Sequence, residues 1–196
     1  DEPGSVAGQP TPFSAQGAIL KNFFRKSPES HHKNGQSDLP VILSRVPIFE
    51  NLSKREIAAM VRILHEREYQ AEEIIFRENE PGMGMYIIQS GTVSIISESG
   101  QLQLSELSDG AFFGDVALLD DAPRSATAVA KTTCRIFGFF QPDLFALMER
   151  DPRLGLKIVF RLARLMAERL RKTNRRAQEL NQELQKIKSA GMTHAS

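Results

Sequence analysis

The period of hydrophobic and polar residues changes twice along this chain. Between residues 53 and 65, apolar residues recur at helical spacing, and Ser53 precedes Glu56 by three positions in a capping pattern. This pattern predicts a helix from about Ser53 to His65. Short β-type runs follow up to residue 140, and a helical period returns from residue 141. The sequence therefore predicts an α+β domain that is mainly β and is flanked by helices.

The central region predicts six short strands separated by turn residues. Many short strands with frequent glycines are typical of a small antiparallel jelly-roll barrel. Hairpin turns alone explain Gly82, Gly84 and Gly91, so we assign these glycines no ligand contact. The predicted strands are residues 74–77, 85–89, 92–97, 102–107, 125–130 and 134–139.

The C-terminal region predicts a short helix, Gln141–Arg150, and then a long helix that begins near Pro152, because proline is favoured in a first helical turn. Along the long helix, apolar or small residues recur at alternating spacings of three and four for more than three heptads. Such a pattern favours a pair of helices, so we expect a homodimer. This heptad seam comprises Ala163, Met166, Leu170, Thr173, Ala177, Leu180, Leu184 and Ile187.

Composition sets the remaining boundaries. Residues 1–40 are rich in Pro, Gly, Ser and Gln, so we expect a flexible tail in which an amphipathic stretch, residues 17–26, docks on the domain or on a partner. The barrel domain is predicted at residues 41–150, the long helix at 151–188 and a second tail at 189–196.

Charge and cysteine content exclude several classes of protein. The chain has 25 basic and 24 acidic residues, so it is not a polyelectrolyte. The single cysteine, Cys134, cannot form an internal disulfide, which fits a cytoplasmic location. No apolar run is long enough to cross a membrane and no signal peptide is visible, so we expect no membrane association. The pair His31 and His32 has no third ligand nearby, so we expect no metal site.

Residues 112–128 contain the residue types that a nucleotide site needs. Gly114 lets the backbone approach a ligand closely, because it has no Cβ. Asp115 can accept hydrogen bonds from the hydroxyl groups of a sugar. A single helical turn after Asp115 would direct the amides of Val116 and Ala117 at an anion.

Two further residues in this segment suit a phosphate group. Arg124 offers a planar fork of donors to phosphate oxygens, and the hydroxyl of Ser125 adds another donor. An acid for a sugar, amides for an anion and an arginine for its charge together predict a small nucleotide pocket.

This segment resembles the phosphate-binding cassette of the cyclic nucleotide-binding domain family. The family pattern is Phe-Gly-Glu, an aliphatic residue, Ala-Leu, a short spacer and then Pro-Arg, a small residue and Ala-Thr. The resemblance covers about residues 46–174. The chain departs from it at Asp115, where most binders carry Glu. Aspartate keeps the negative charge, but its side chain is shorter by one methylene. The matching residues are Phe113, Gly114, Ala117, Leu118, Pro123, Arg124, Ser125, Ala126 and Thr127.

The resemblance implies a ligand and a role for each site residue. The ligand would be cAMP or cGMP, and the residues leave that choice open. Arg124 would pair with the phosphate oxygens, and Asp115 would accept the ribose 2′-hydroxyl. Phe113, Leu104 and Ala126 would form apolar walls.

The long helix resembles the lid of the catabolite activator branch of this family. Thr173 and Asn174 align with a Thr-Ser pair that meets the adenine across the dimer. A polar Thr173 on the heptad seam would equally set the register of the helix pair. Both interpretations stay open.

Three functions follow from these patterns. The first is a cyclic nucleotide sensor that signals through its C-terminal helix to a partner or effector domain. The second is a scaffold that keeps the barrel, has lost the ligand and acts through its coiled coil. The third is a nucleic-acid binder that uses the basic long helix, but no recognition module accompanies that helix and no helix-turn-helix follows it, so we expect no direct DNA binding. No catalytic constellation is visible, so we expect no enzyme activity.

Overall fold

The computed structural model describes residues 39–99 and 101–192, with side chains up to residue 187. In this part of the chain, the short helices α1 (Leu39–Arg45) and α2 (Lys54–Val61) precede the strands, with a 3-10 turn at Pro47–Phe49 between them. The predicted capping box is present on α2: Ser53 accepts from the Glu56 amide, and Glu56 accepts from the Ser53 amide.

Within the described residues, eight strands form two four-stranded antiparallel sheets. One sheet has the order β1-β8-β3-β6 and the other β2-β7-β4-β5. The strands are β1 (His65–Tyr69), β2 (Ile74–Phe76), β3 (Gly84–Ser90), β4 (Val93–Ser97), β5 (Leu102–Leu107), β6 (Phe112–Phe113), β7 (Thr127–Ala130) and β8 (Cys134–Phe140). The predicted mainly antiparallel β fold with flanking helices is confirmed.

Two strands were missed in the sequence. The helix predicted to reach His65 ends at Val61, and His65 instead begins β1, which pairs with β8. Its sequence, HEREY, carries three charged residues and so lacks the apolar alternation that marks a strand. The two-residue strand β6 pairs with Tyr86 and Ile87 and is too short to give any period.

Two apolar clusters hold the domain together. One lies between the sheets and includes Tyr86, Phe113 and Ile136. The other packs the helices against the β3–β8 sheet and includes Met85 and Phe139. Because β3 and β8 are buried on both faces, their sequences are nearly continuous in apolar residues.

The C-terminal helices follow β8 directly. Helix α3 (Gln141–Arg150) leads through Asp151 into α4 (Pro152–Met192), as predicted. The first part of α4 packs on the domain through Leu154, Ile158 and Leu162. From residue 167 to residue 187 every residue of α4 is exposed in the single chain.

Some predictions concern other parts of the chain. The stretch at residues 17–26 and the pair His31 and His32 lie outside the described residues. Within the part of the chain that is described, none of the helices combines the length and the hydrophobicity that crossing a membrane requires.

Candidate nucleotide site

A cavity of about 500 Å³ opens beside the 112–128 segment. It lies between strands of both sheets, the 3-10 helix Asp115–Leu118 and the long helix α4. Eight of the residues predicted for the site line it: Phe113, Gly114, Asp115, Val116, Ala117, Arg124, Ser125 and Ala126. The segment that the sequence predicted for the site therefore lines one side of this cavity.

Gly114 makes the turn into the 3-10 helix. Its φ of 73° lies in the left-handed region, where residues with a Cβ are strained. A Cβ at this position would also lie 2.6 Å from Nη1 of Arg124. Glycine is thus required both by the backbone and by the close approach of the guanidinium. The amide of Ala117, which was predicted to face an anion, donates at 3.3 Å to the Gly114 carbonyl.

Arg124 is buried and held from both sides by backbone. Its Nη1 donates to the Gly114 carbonyl at 3.1 Å, and its Nη2 donates to the Gly84 carbonyl at 2.9 Å. The chain at Arg124 is itself fixed, because its amide donates to Glu80 and its carbonyl accepts from Asn79. Gly84 therefore has a structural role at the site that the sequence did not reveal.

Aromatic rings lie beneath the Arg124 guanidinium. Its Cζ is 4.1 Å from the centroid of Phe76 and 5.6 Å from that of Tyr86, and Tyr86 stacks on Phe113. A cation over aromatic faces is attracted by their negative potential. Burial nevertheless lowers the pKa of Arg124 from its ordinary value, and Tyr86 and then Glu80 oppose that shift. The site thus holds a positive charge at an energetic cost.

No carboxylate is ion-paired with Arg124 among the ion pairs of the described residues. Two of its five N–H groups donate to backbone carbonyls, so others remain for a further acceptor. Buried charges are normally paired. The arrangement therefore suits an anion supplied from outside the chain.

Asp115 is the negative group of the cavity and is 2% exposed. Its Oδ1 accepts from Nη1 of Arg169 at 2.6 Å. Its Oδ2 is buried and has no hydrogen-bond partner among the residues that the structure describes. A buried polar atom without a partner is costly, so this oxygen is suited to a hydroxyl donor from a ligand.

Several lining residues were not assigned to the site from the sequence. Ser105 and Leu107 come from β5, Phe76 from β2 and Arg169 from α4, so they lie outside residues 112–128. The heptad pattern of α4 drew attention to its apolar seam, and nothing in that pattern distinguishes Arg169 from the other basic residues beside it.

The predicted wall residue Leu104 does not line the cavity. Side chains alternate between the two faces of a strand, and on β5 it is Ser105 and Leu107 that reach the cavity. Leu104 is accordingly 52% exposed on the other face. The strand that carries Leu104 therefore lines the cavity through Ser105 and Leu107.

Thr173 and Asn174 also lie away from the cavity of the single chain. Both are exposed on α4 beyond Arg169. Their predicted contact is one made across a dimer, and it stays a prediction.

Comparison with known proteins agrees with this geometry. Residues 66–151 match the family model of the cyclic nucleotide-binding domain. The chain is 32% identical over 131 residues to the cyclic AMP receptor protein of Thermus thermophilus, which is 65% of this chain and 59% of that protein. It is 34% identical over 114 residues to a cyclic nucleotide-gated potassium channel of Mesorhizobium japonicum, or 58% of this chain and 31% of the channel.

A solved structure shares the fold. The crystal structure of the catabolite activator protein of Thermus thermophilus matches with a TM-score of 0.62 and 30% identity, over 69% of this chain and 63% of that chain. The chain thus spans less than two thirds of each of these three proteins.

Proposed function

We propose that this chain, whose residues 66–151 match the family model of the cyclic nucleotide-binding domain, is a regulatory module that binds cAMP or cGMP and signals through its C-terminal helix to a partner or effector domain. The observation that carries the proposal is the pair of opposite charges buried on one cavity. Asp115 is 2% and Arg124 is 7% exposed, and both line the cavity. Its volume of about 500 Å³ is in the range of sites for small organic ligands.

Each charged group suits one end of a cyclic nucleotide. Arg124 has no ion-pair partner among those found in the described residues, and it would receive the phosphate together with the exposed hydroxyl of Ser125. Asp115 has an unpaired buried oxygen that would accept the ribose 2′-hydroxyl. Phe113 and Ala126 supply apolar surface beside these two groups.

The long helix is the proposed output of the module. It contacts the cavity at Arg169, and its heptad seam beyond that point is exposed. The exposed Leu170, Leu180, Leu184 and Ile187 form the apolar stripe that a second copy of the helix would cover. Ligand binding would then shift the position of a paired helix, and a partner or effector domain would respond.

Calorimetric titration of the full chain with cAMP and with cGMP tests this function. We expect saturable binding of at least one cyclic nucleotide and much weaker binding of 5′-AMP, whose phosphate is not closed onto the ribose. Absence of heat with both cyclic nucleotides at millimolar concentration, from protein with native circular dichroism, contradicts the proposal.

One observation favours the scaffold as a second candidate. Polar groups of the cavity already have partners within the chain, since Arg124 donates to two carbonyls and Asp115 pairs with Arg169. A scaffold would be indifferent to nucleotides, and truncation after Leu170 would abolish its partner binding. The same titration separates the two candidates.

A further inference from the structure

Arg169 joins the long helix to the cavity. Its Nη1 lies 2.6 Å from Oδ1 of Asp115, and its Cζ lies 5.5 Å from the centroid of the Phe112 ring. The guanidinium therefore touches both the 3-10 helix and β6, on either side of Gly114. It is a residue of α4 that lines the cavity.

The two partners of this ion pair are in different environments. The side chain of Arg169 is 51% exposed, whereas that of Asp115 is 2% exposed. An exposed arginine loses little when its partner is removed, because water solvates it. A buried carboxylate loses much, because no water replaces the missing cation. Asp115 thus depends on Arg169 more than Arg169 depends on Asp115.

The two oxygens of Asp115 have separate tasks. Oδ1 is bound by Arg169, while Oδ2 is buried without a partner. A carboxylate can accept on both oxygens at once. Ligand and Arg169 therefore do not compete for the same lone pairs, and each favours the orientation of the carboxylate that the other needs.

Arg169 also lies at the point where α4 leaves the domain. The docked face of α4 runs through Leu154, Ile158, Leu162 and Leu165, and Arg169 follows Leu165 by one helical turn. Every residue from 167 to 187 is exposed. The ion pair thus ties the boundary between the docked and the exposed parts of α4 to a carboxylate in the cavity.

We propose that Arg169 is a positioning residue that holds Asp115 for the hydroxyl group of the ligand and thereby couples docking of α4 to ligand binding. This inference rests on the proposed function. By linkage, the factor by which docked α4 tightens ligand binding equals the factor by which ligand tightens docking.

The experiment compares wild type with three variants, each titrated with several nucleotides. Wild type, Arg169→Ala, Arg169→Lys and Arg171→Ala are each titrated with cAMP, with cGMP and with the 2′-deoxy analogue of whichever of the two binds wild type more tightly. Arg171 is the control, since it is an exposed arginine of the same helix that does not line the cavity.

We expect Arg169→Ala to bind that cyclic nucleotide about tenfold or more weakly, as for loss of a hydrogen bond to a charged group. Binding of the 2′-deoxy analogue should weaken much less, because this analogue lacks the hydroxyl group that would contact Asp115. Arg169→Lys should recover part of the affinity, because it keeps the charge. Arg171→Ala should bind like wild type.

Amide hydrogen exchange of α4 provides the second measurement. Ligand should slow exchange of residues 163–175 in wild type and in Arg171→Ala, and it should have a smaller effect in Arg169→Ala. If Arg169→Ala does not fold, Arg169→Lys carries the same comparison with a smaller expected change.

The outcomes separate this inference from the proposed function. If wild type binds neither cAMP nor cGMP, the proposed function fails and the inference falls with it. If wild type binds, but Arg169→Ala discriminates against the 2′-deoxy analogue as strongly as wild type does, the inference alone is overturned. Unchanged discrimination means an equal loss for both ligands, so that Arg169 would act on the ligand without Asp115.

Discussion

Replacing Arg124 by alanine should destabilise the ligand-free domain as well as weaken nucleotide binding. The guanidinium ties two separate segments together, since it donates to the Gly84 carbonyl at the start of β3 and to the Gly114 carbonyl at the 3-10 helix. Both carbonyls would lose a charged donor in the variant. If Arg124 contacted only the ligand, its replacement would leave the stability of the ligand-free domain unchanged.

The size of the effect follows from these two bonds. A hydrogen bond to a charged group contributes about 1.5–3 kcal/mol. We take the lower limit for each bond, because burial lowers the pKa of Arg124 and removal of the side chain relieves that desolvation cost. The expected loss is therefore about 3 kcal/mol. For a chain of this size that corresponds to a fall in Tm of about 6–12 °C.

Urea unfolding followed by far-ultraviolet circular dichroism measures the loss, provided that the m-values of variant and wild type agree. Arg171→Ala is the matched control, and it should stay within about 0.5 kcal/mol of wild type because it removes an exposed charge. If Arg124→Ala in the absence of nucleotide is as stable as that control, the two hydrogen bonds do not hold the segments together and the reasoning is refuted.

Four further predictions can be checked on the same protein. Ser53→Ala should cost about 1 kcal/mol in urea unfolding through loss of the cap on α2, and no change would contradict the capping box. Gly84→Ala should cost about 1–3 kcal/mol, because an added Cβ would collide with the Phe139 carbonyl; a stabilised variant would contradict this. The hydrogen bond from Lys157, and second that from the Ser53 backbone, lowers the pKa of Glu56. The contribution of Glu56 to folding stability is therefore present at pH values above the ordinary glutamate pKa and is lost as the pH falls. The difference in unfolding free energy between wild type and Glu56→Gln should therefore shrink below about pH 4 and not above it. Leu184→Glu should convert a dimer into a monomer in sedimentation velocity, and an unchanged mass would exclude pairing through the heptad seam.

The part of the site that the sequence predicted is the part that is continuous in the chain. Residues 112–128 carry their own turn, acid and arginine, and local rules for glycine and for charged groups suffice to interpret them. The other lining residues come largely from β2, β5 and α4, which only the packing of the sheets and the long helix brings to the cavity. No local pattern determines which residue of those elements faces the cavity.

Errors in the predicted elements have the same origin. β1 is polar along most of its length and is a strand because it pairs with β8, so tertiary pairing outweighs its local pattern. Leu104 and Ser105 are neighbours on one strand, and a register that pairs Ser105 with Ile95 determines which of them turns to the cavity. Apolar character and the family resemblance had favoured Leu104.

The internal bonds of Arg124 also bear on how a binding defect should be interpreted. Because this guanidinium holds Gly84 and Gly114 in place, loss of affinity in Arg124→Ala would combine a missing phosphate partner with a deformed cavity. The exposed Ser125 also lines the cavity, and its side chain holds no other segment in place among the hydrogen bonds found in the described residues. Affinity changes at Ser125 therefore report on a ligand contact more directly than changes at Arg124, and the sensor and scaffold hypotheses are better separated there.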